Sequence, residues 1–120
     1  MWISVKKSRE RPFPNQITLL ATRWFKKVGK AELTFHEPDS SYSAYIESYA
    51  PGTGVVRELC LKLDPFFQAL ANSTRREFYH KIHFISEEAR QKIQPYLEKY
   101  GPALGYEKVG KVWVKRYRPQ

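Results

Sequence analysis

Between Ile17 and Val28 the apolar residues Ile17, Leu20, Ala21, Trp24 and Val28 fall within about 100° of one another at 3.6 residues per turn, the stripe of an amphipathic helix. Asn15 stands where an N-cap belongs and Gly29 where a helix stop belongs. Leu19 and Phe25 fall off the stripe. Ahead of it, Trp2, Ile3 and Val5 mark a short strand at residues 2–6, set apart by the loop "SRERPFPN", which Pro12 and Pro14 break. Behind it, alternation takes over. "AELTFHE", "YSAYIESY" and "VVRELCLKL" alternate apolar with polar positions as half-buried strands do, and "PGTG" between the last two reads as a turn. Asp64-Pro65 is a helix-start signal and predicts a short helix over 65–72.

The aromatic content of "REFYHKIHFI" favours a strand. Ser86, followed by Glu87 and Glu88, opens a further helix whose stripe (Ala89, Ile93, Tyr96, Leu97, Tyr100) continues past Pro95. "GYEKVGKVWVKRYR" predicts a hairpin turning at Gly110-Lys111. The order β-α-β-β-β-α-β-α-β-β predicts one α+β domain over residues 1–120: a mainly antiparallel sheet, about three helices and a C-terminal β-hairpin.

Charge changes this picture. The chain of 120 residues carries a net +9. Residues 1–30 hold eight Lys/Arg against Glu10, residues 31–74 are net −4, and residues 75–120 are net +6. Were the two ends to meet in space, as chain ends often do, one face would be strongly basic and the other acidic. Such an excess attracts a polyanion, most commonly nucleic acid. The single cysteine, Cys60, excludes an intrachain disulfide, reads as a buried thiol and fits a reducing compartment such as the cytoplasm. No apolar run is long enough for a spanning helix, and "MWISVKKSRERP" lacks the apolar core of a signal peptide.

Two basic constellations follow. On the first helix Arg23, Lys26, Lys27 and Lys30 recur at i, i+3, i+4, i+7 opposite the apolar stripe, with no acid among residues 16–31. Solvated helices usually mix signs, so an unmixed one points to an anionic partner. In the hairpin, Lys111, Lys115, Arg116 and Arg118 surround Trp113 and Tyr117. If Val112 and Val114 point inward, Trp113 and Tyr117 form an exposed stacking platform beside Lys115, suited to single-stranded nucleic acid. If Trp113 and Tyr117 point inward, they are core and only the cations remain. Arg9, Arg11, Arg75 and Arg76 add loop cations, whereas Tyr45 and Tyr49 share a face with Glu47, off any phosphate path.

Enzyme and cofactor signals are thin. His80 and His83 would point to opposite faces of a strand, and His36 and Cys60 stand at no zinc-ligand spacing. Glu58 and Lys62 are four apart, where a magnesium-dependent nuclease wants acid and lysine two apart; a metal-independent nuclease could draw on His80 or His83 with Glu77. The six glycines read as isolated turn residues, so no phosphate-cradling loop, metal or cofactor is implied. These observations favour a non-enzymatic binder of RNA or single-stranded DNA using Arg23, Lys26, Lys27, Lys30, Lys111, Trp113, Lys115, Arg116 and Arg118. The alternatives are an interaction module docking a protein, such as a ribonucleoprotein or polymerase subunit, through residues 31–74, and a metal-dependent nuclease. For peripheral membrane binding the basic helix offers only Leu19 and Phe25 as apolar anchors.

Overall fold

The computed structural model describes residues 1–49, 54–84 and 86–120. Where a helix was expected, residues 16–36 form a hairpin: β2 (Gln16–Arg23) pairs antiparallel with β3 (Lys26–His36). The same residues satisfy a period of two. Ile17, Leu19 and Ala21 face one side, opposite Leu33, Ala31 and Gly29, and all but the glycine count among the buried core. Leu19, the misfit of the helical stripe, lies at the centre of this buried row, and its neighbour strand decides between the two periods. Trp24 and Phe25 alone make the turn, at φ 52° and 65°, the two left-handed central residues of a type I′ hairpin. The basic helical face of Arg23, Lys26, Lys27 and Lys30 therefore does not exist.

The remaining elements are β1 (Trp2–Lys7), a 3₁₀ turn at Glu37–Asp39, β4 (Ser41–Ser48), α1 (Val55–Thr74), β5 (Phe78–His83), α2 (Glu87–Leu104), β6 (Glu107–Val109) and β7 (Val112–Tyr117). The seven strands form one sheet in the order β1-β2-β3-β4-β5-β7-β6, antiparallel throughout save for the parallel pair β4–β5. The class is α+β as read, with two α-helices among the described residues rather than about three. The crossovers β4-α1-β5 and β5-α2-β6 advance the same way across the sheet, and the right-handed preference puts both helices on one face. Contacts agree: Phe67 of α1 stacks on His80 of β5 at 5.0 Å and on Tyr117 of β7 at 5.3 Å. On α2, a Cβ added at Gly101 would lie 3.2 Å from the Trp113 ring on that same face. The opposite face carries Lys30, Glu32, Ser43, Tyr45, Glu47, Lys81 and His83 and, among the described residues, no helix.

"VVRELCLKL", expected as a strand, is the first half of α1. Its buried positions Val55, Val56, Leu59, Cys60 and Leu63 continue at helical spacing through Phe67, Leu70 and Ala71. Nine residues could be read either way; twenty could not. Asp64-Pro65 is then mid-helix, not a start. Pro65 withholds one helical N–H, while Asp64 ties α1 to β7 by accepting hydrogen bonds from Lys115 Nζ at 2.5 Å and the Tyr117 hydroxyl at 2.7 Å. Burial pushes the Asp64 carboxyl up, but Lys115 and Tyr117 outweigh it and leave the pKa lowered. This contribution is therefore present above the ordinary carboxylate range and fades as pH falls through it. Asp64→Ala should cost about 2 kcal/mol at neutral pH, read as a shift in urea midpoint, and less at pH 3.

Local signals held elsewhere. Ser86 Oγ caps α2 by accepting from the Ala89 amide at 3.1 Å, and the C-terminal hairpin turns at Gly110-Lys111. The two basic ends touch through the loop ahead of β2, where Phe13 packs against Arg76 and Phe78, but their strands lie apart. β1 is one edge of the sheet and β7 adjoins the other, with four strands between them. The expected single basic face is not formed.

Candidate functional site

The structure scatters the residues singled out above. Arg23 and Lys26 flank the β2–β3 turn, and Lys30 pairs with Glu32 at 2.6 Å. Trp113 is only 4% exposed and Tyr117 is buried, so the inward alternative is the real one and the stacking platform is absent. Lys115 is held by Asp64, and Arg118 lies 3.3 Å from Glu77. Arg116 is exposed on the helix-free face, and Lys111 sits in the hairpin turn. Residues 31–74 are divided among β3, the 3₁₀ turn, β4 and α1, with Glu32 and Glu47 on the helix-free face and Glu58 and Asp64 on α1. Arg76 packs over the Phe13, Phe35 and Phe78 rings and pairs with Glu37 at 2.8 Å, a structural role. His80 and His83 do point to opposite faces: His80 is buried under α1, whereas His83 is half-buried beside Ser43 and Tyr45.

What the fold does build is an opening in the sheet. β4 and β5 pair from Ser41↔Tyr79 to Tyr45↔His83, and there the pairing stops. β4 runs on through Ile46, Glu47 and Ser48 against β3 alone. Among the described residues its far edge is thus unpaired, because β5 ends at His83 and α2 begins at Glu87. An unpaired strand edge offers backbone N–H and C=O groups to an extended ligand.

A cleft of about 710 Å³ lies where this edge meets the helices, lined by Ser48, Gly54–Arg57 at the start of α1, and Lys92, Tyr96, Tyr100, Ala103 and Leu104 of α2. Two smaller depressions continue it. One of about 280 Å³ shares Ser48 and Lys92 and runs past Glu47, Tyr49 and the first turn of α2. The next, about 320 Å³, shares Ser86 and reaches Tyr45, His83, Arg90 and Lys111 on the helix-free face. The three follow one another from the helix face, over the β4 edge, to the open face.

The α1 end of the cleft is set by two glycines. Gly54 is the N-cap at φ 77°, a left-handed conformation that favours glycine, and among the described residues no side chain caps the helix. The first-turn amides are thus unclaimed by a cap, the arrangement that attracts phosphates. Gly29 on β3 lets α1 descend onto the sheet: a Cβ there would fall deep inside contact with Val55 Cγ1 and 3.1 Å from the Glu47 carbonyl oxygen. Arg57 and Lys92 bring cations to the rim, and Tyr96 contributes a buried hydroxyl with no hydrogen-bond partner among the described residues. Burial pushes the Tyr96 hydroxyl up to about 12, so it stays protonated and able to donate.

At the open-face end stand groups able to move protons. His83 lies 3.1 Å from Ser43 Oγ, and burial, then Lys81 and His36, hold its pKa below the ordinary imidazole value. It is therefore neutral at pH 7 and can accept a proton. Glu47 accepts from the Tyr49 hydroxyl, whose pKa that bond, with burial, raises to about 12.

Reading the six glycines as isolated turns missed both Gly29 and Gly54, which set the start of α1. The "PGTG" turn lies largely outside the described residues. A glycine just before an apolar helical run was the available signal; Gly29 had none, because Val55, which it lets approach, is 26 residues away.

No family model matches the chain, and no curated protein matches it. Among solved structures the chain is similar to the E. coli candidate N-acetyltransferase YhhK, a solution structure with coenzyme A bound. The TM-score is 0.63 at 11% identity, over 96% of this chain and 98% of that one. The fold is shared along the whole length. With the Trp113 platform buried, this likeness overturns the reading as a non-enzymatic nucleic-acid binder; what the chain shares with that structure is its fold.

Proposed function

We propose that the protein binds an acyl-coenzyme A in the cleft between α1 and α2 and transfers its acyl group to a nucleophile, most simply an amine, entering from the helix-free face. The observation that carries this is the parting of the parallel pair β4–β5 beside a helix that starts at a left-handed glycine, Gly54. The likeness to a coenzyme A-bound structure supports it.

The residues fit such a ligand. The volume suits a cofactor-sized molecule. The α1 amides with Arg57 and Lys92 would hold phosphates, the free edge of β4 would take an extended amide-bearing arm, and Val55, Val56, Tyr96 and Leu104 supply apolar walls. The bound group would supply an activated thioester carbonyl. This chain's own residues position and deprotonate: His83 takes a proton from an incoming ammonium, Glu47 draws a cationic acceptor to the β4 edge, and Tyr96 donates from its buried hydroxyl. The lone, buried Cys60, pushed up to about 11 by burial, takes no part as a nucleophile; a reducing compartment belongs to the same proposal.

The test is isothermal titration with coenzyme A. Wild type should bind with a micromolar dissociation constant, and Arg57→Glu/Lys92→Glu should weaken binding about tenfold or more. His83→Ala should leave that binding unchanged and lower acyl transfer on an amine panel by about a hundredfold. No heat or thermal shift with coenzyme A at millimolar concentration would overturn the proposal.

A further inference from the structure

The turn of the β2–β3 hairpin is built against local preference. Both turn residues sit at positive φ, 52° and 65°, where Asn and Gly are favoured, yet they are Trp24 and Phe25. Neither gains burial in return: Trp24 is 84% exposed and Phe25 105%. Such a pair costs the fold backbone strain and covers no core, so its return lies in a contact outside the chain.

The surroundings say which contact. Arg23, Lys26 and Lys27 flank the tip, none forms an ion pair among the described residues, and Thr22–Lys27 contains no acid. On the neighbouring strand Trp2 pairs with Thr22 and is 73% exposed, a third aromatic at the same end of the sheet. The tip is convex, two residues wide, with long cationic stems on either side. A protein partner would need a pocket matched to this wedge and a wider flat rim around it. A lipid surface needs neither: aromatic rings settle at the headgroup level while Lys and Arg extend to anionic headgroups.

We propose that this hairpin tip seats the protein on the surface of an anionic phospholipid membrane. Gly29, against which α1 begins, lies four residues along β3 from Phe25, about 13 Å at the rise of a strand. Seating would therefore bring the start of α1 close to the headgroups. The assignment stands without the acyltransferase proposal, since it uses no residue of the cleft.

The experiment is co-sedimentation of the full chain with sucrose-loaded vesicles of phosphatidylcholine alone or mixed with phosphatidylserine. Binding is expected only to the mixed vesicles. Trp24→Asn/Phe25→Gly installs the preferred pair for this turn, so it should melt no lower than wild type while vesicle affinity falls at least tenfold. Lys26→Gln/Lys27→Gln should lower affinity about 25-fold, roughly fivefold per cation. In a Trp2→Phe background the tryptophan emission should shift to the blue on adding vesicles, reporting Trp24, since Trp113 is buried throughout. Absence of binding to mixed vesicles overturns the proposal. So does binding that Trp24→Asn/Phe25→Gly leaves intact, which would reduce it to diffuse charge. A tip-dependent change in sedimentation coefficient without lipid, with no vesicle binding, would overturn it in favour of self-association.

Discussion

Replacing Gly29 by alanine should both destabilise the protein and loosen its hold on coenzyme A. The added methyl enters the space of Val55 Cγ1 and presses toward the Glu47 carbonyl oxygen, which as backbone cannot rotate away. Overpacking of this kind costs about 1–3 kcal/mol. The relief available is a lift of the first turn of α1, the turn proposed to face phosphates, so affinity should fall about tenfold beyond the loss of stability. Removing the opposing methyl groups offers a check. In Gly29→Ala/Val55→Ala the clash is gone, and the double variant should be more stable than the two single changes predict if summed. Strict additivity in a double-mutant cycle, with coenzyme A affinity unchanged in Gly29→Ala, would show that the close approach does not set the cleft.

Acid should unfold this protein earlier than its carboxylates alone require, because of His80. The ring is completely buried, stacked on Phe67, with Nδ1 2.8 Å from the Tyr106 hydroxyl and Nε2 without a partner among the described residues. Burial, and then nearby Lys115, pull its pKa down to about 3, against the ordinary value of 6.5. The unfolded chain thus binds a proton that the folded protein refuses. Stability is intact above pH 6.5 and falls as pH drops, by at most about 1.4 kcal/mol per pH unit. Between pH 6.5 and 4.5 the loss should be about 2 kcal/mol, before most carboxylates titrate. His80→Gln keeps a neutral hydrogen-bonding group and removes the titration. Urea unfolding of both proteins across that window should show a slope in wild type and a nearly flat line in the variant. Equal slopes would assign the acid sensitivity to other groups.

Elements were legible where the signal is local. Ser86 with Glu87 and Glu88 announces a helix start through groups within one turn, and Gly110-Lys111 announces a hairpin in the same way. Residues 17–28 satisfy a helical and a strand period at once, and only the pairing of Leu19 with Ala31 resolves them. "VVRELCLKL" is likewise ambiguous until the helix is followed across Pro65 to Phe67 and Leu70. The basic residues were correctly counted, but a count says nothing of direction: Lys115 points to Asp64 under the helices, and Arg116, one residue on, points to the open face.

The cleft was least legible of all. Its walls come from Ser48, Gly54–Arg57 and Lys92–Leu104, its seat from Gly29, and its opening from the point at which two parallel strands cease to pair. By itself the sequence determined the α+β class, the Ser86 cap and the Gly110-Lys111 turn, the buried thiol and the uneven charge. The tertiary structure alone decided which of two apolar periods prevailed, which face each aromatic and cation took, and where the sheet opens. Those choices rest on burial and hydrogen bonding between segments distant in the chain, and the free energy of such contacts is written in no local pattern.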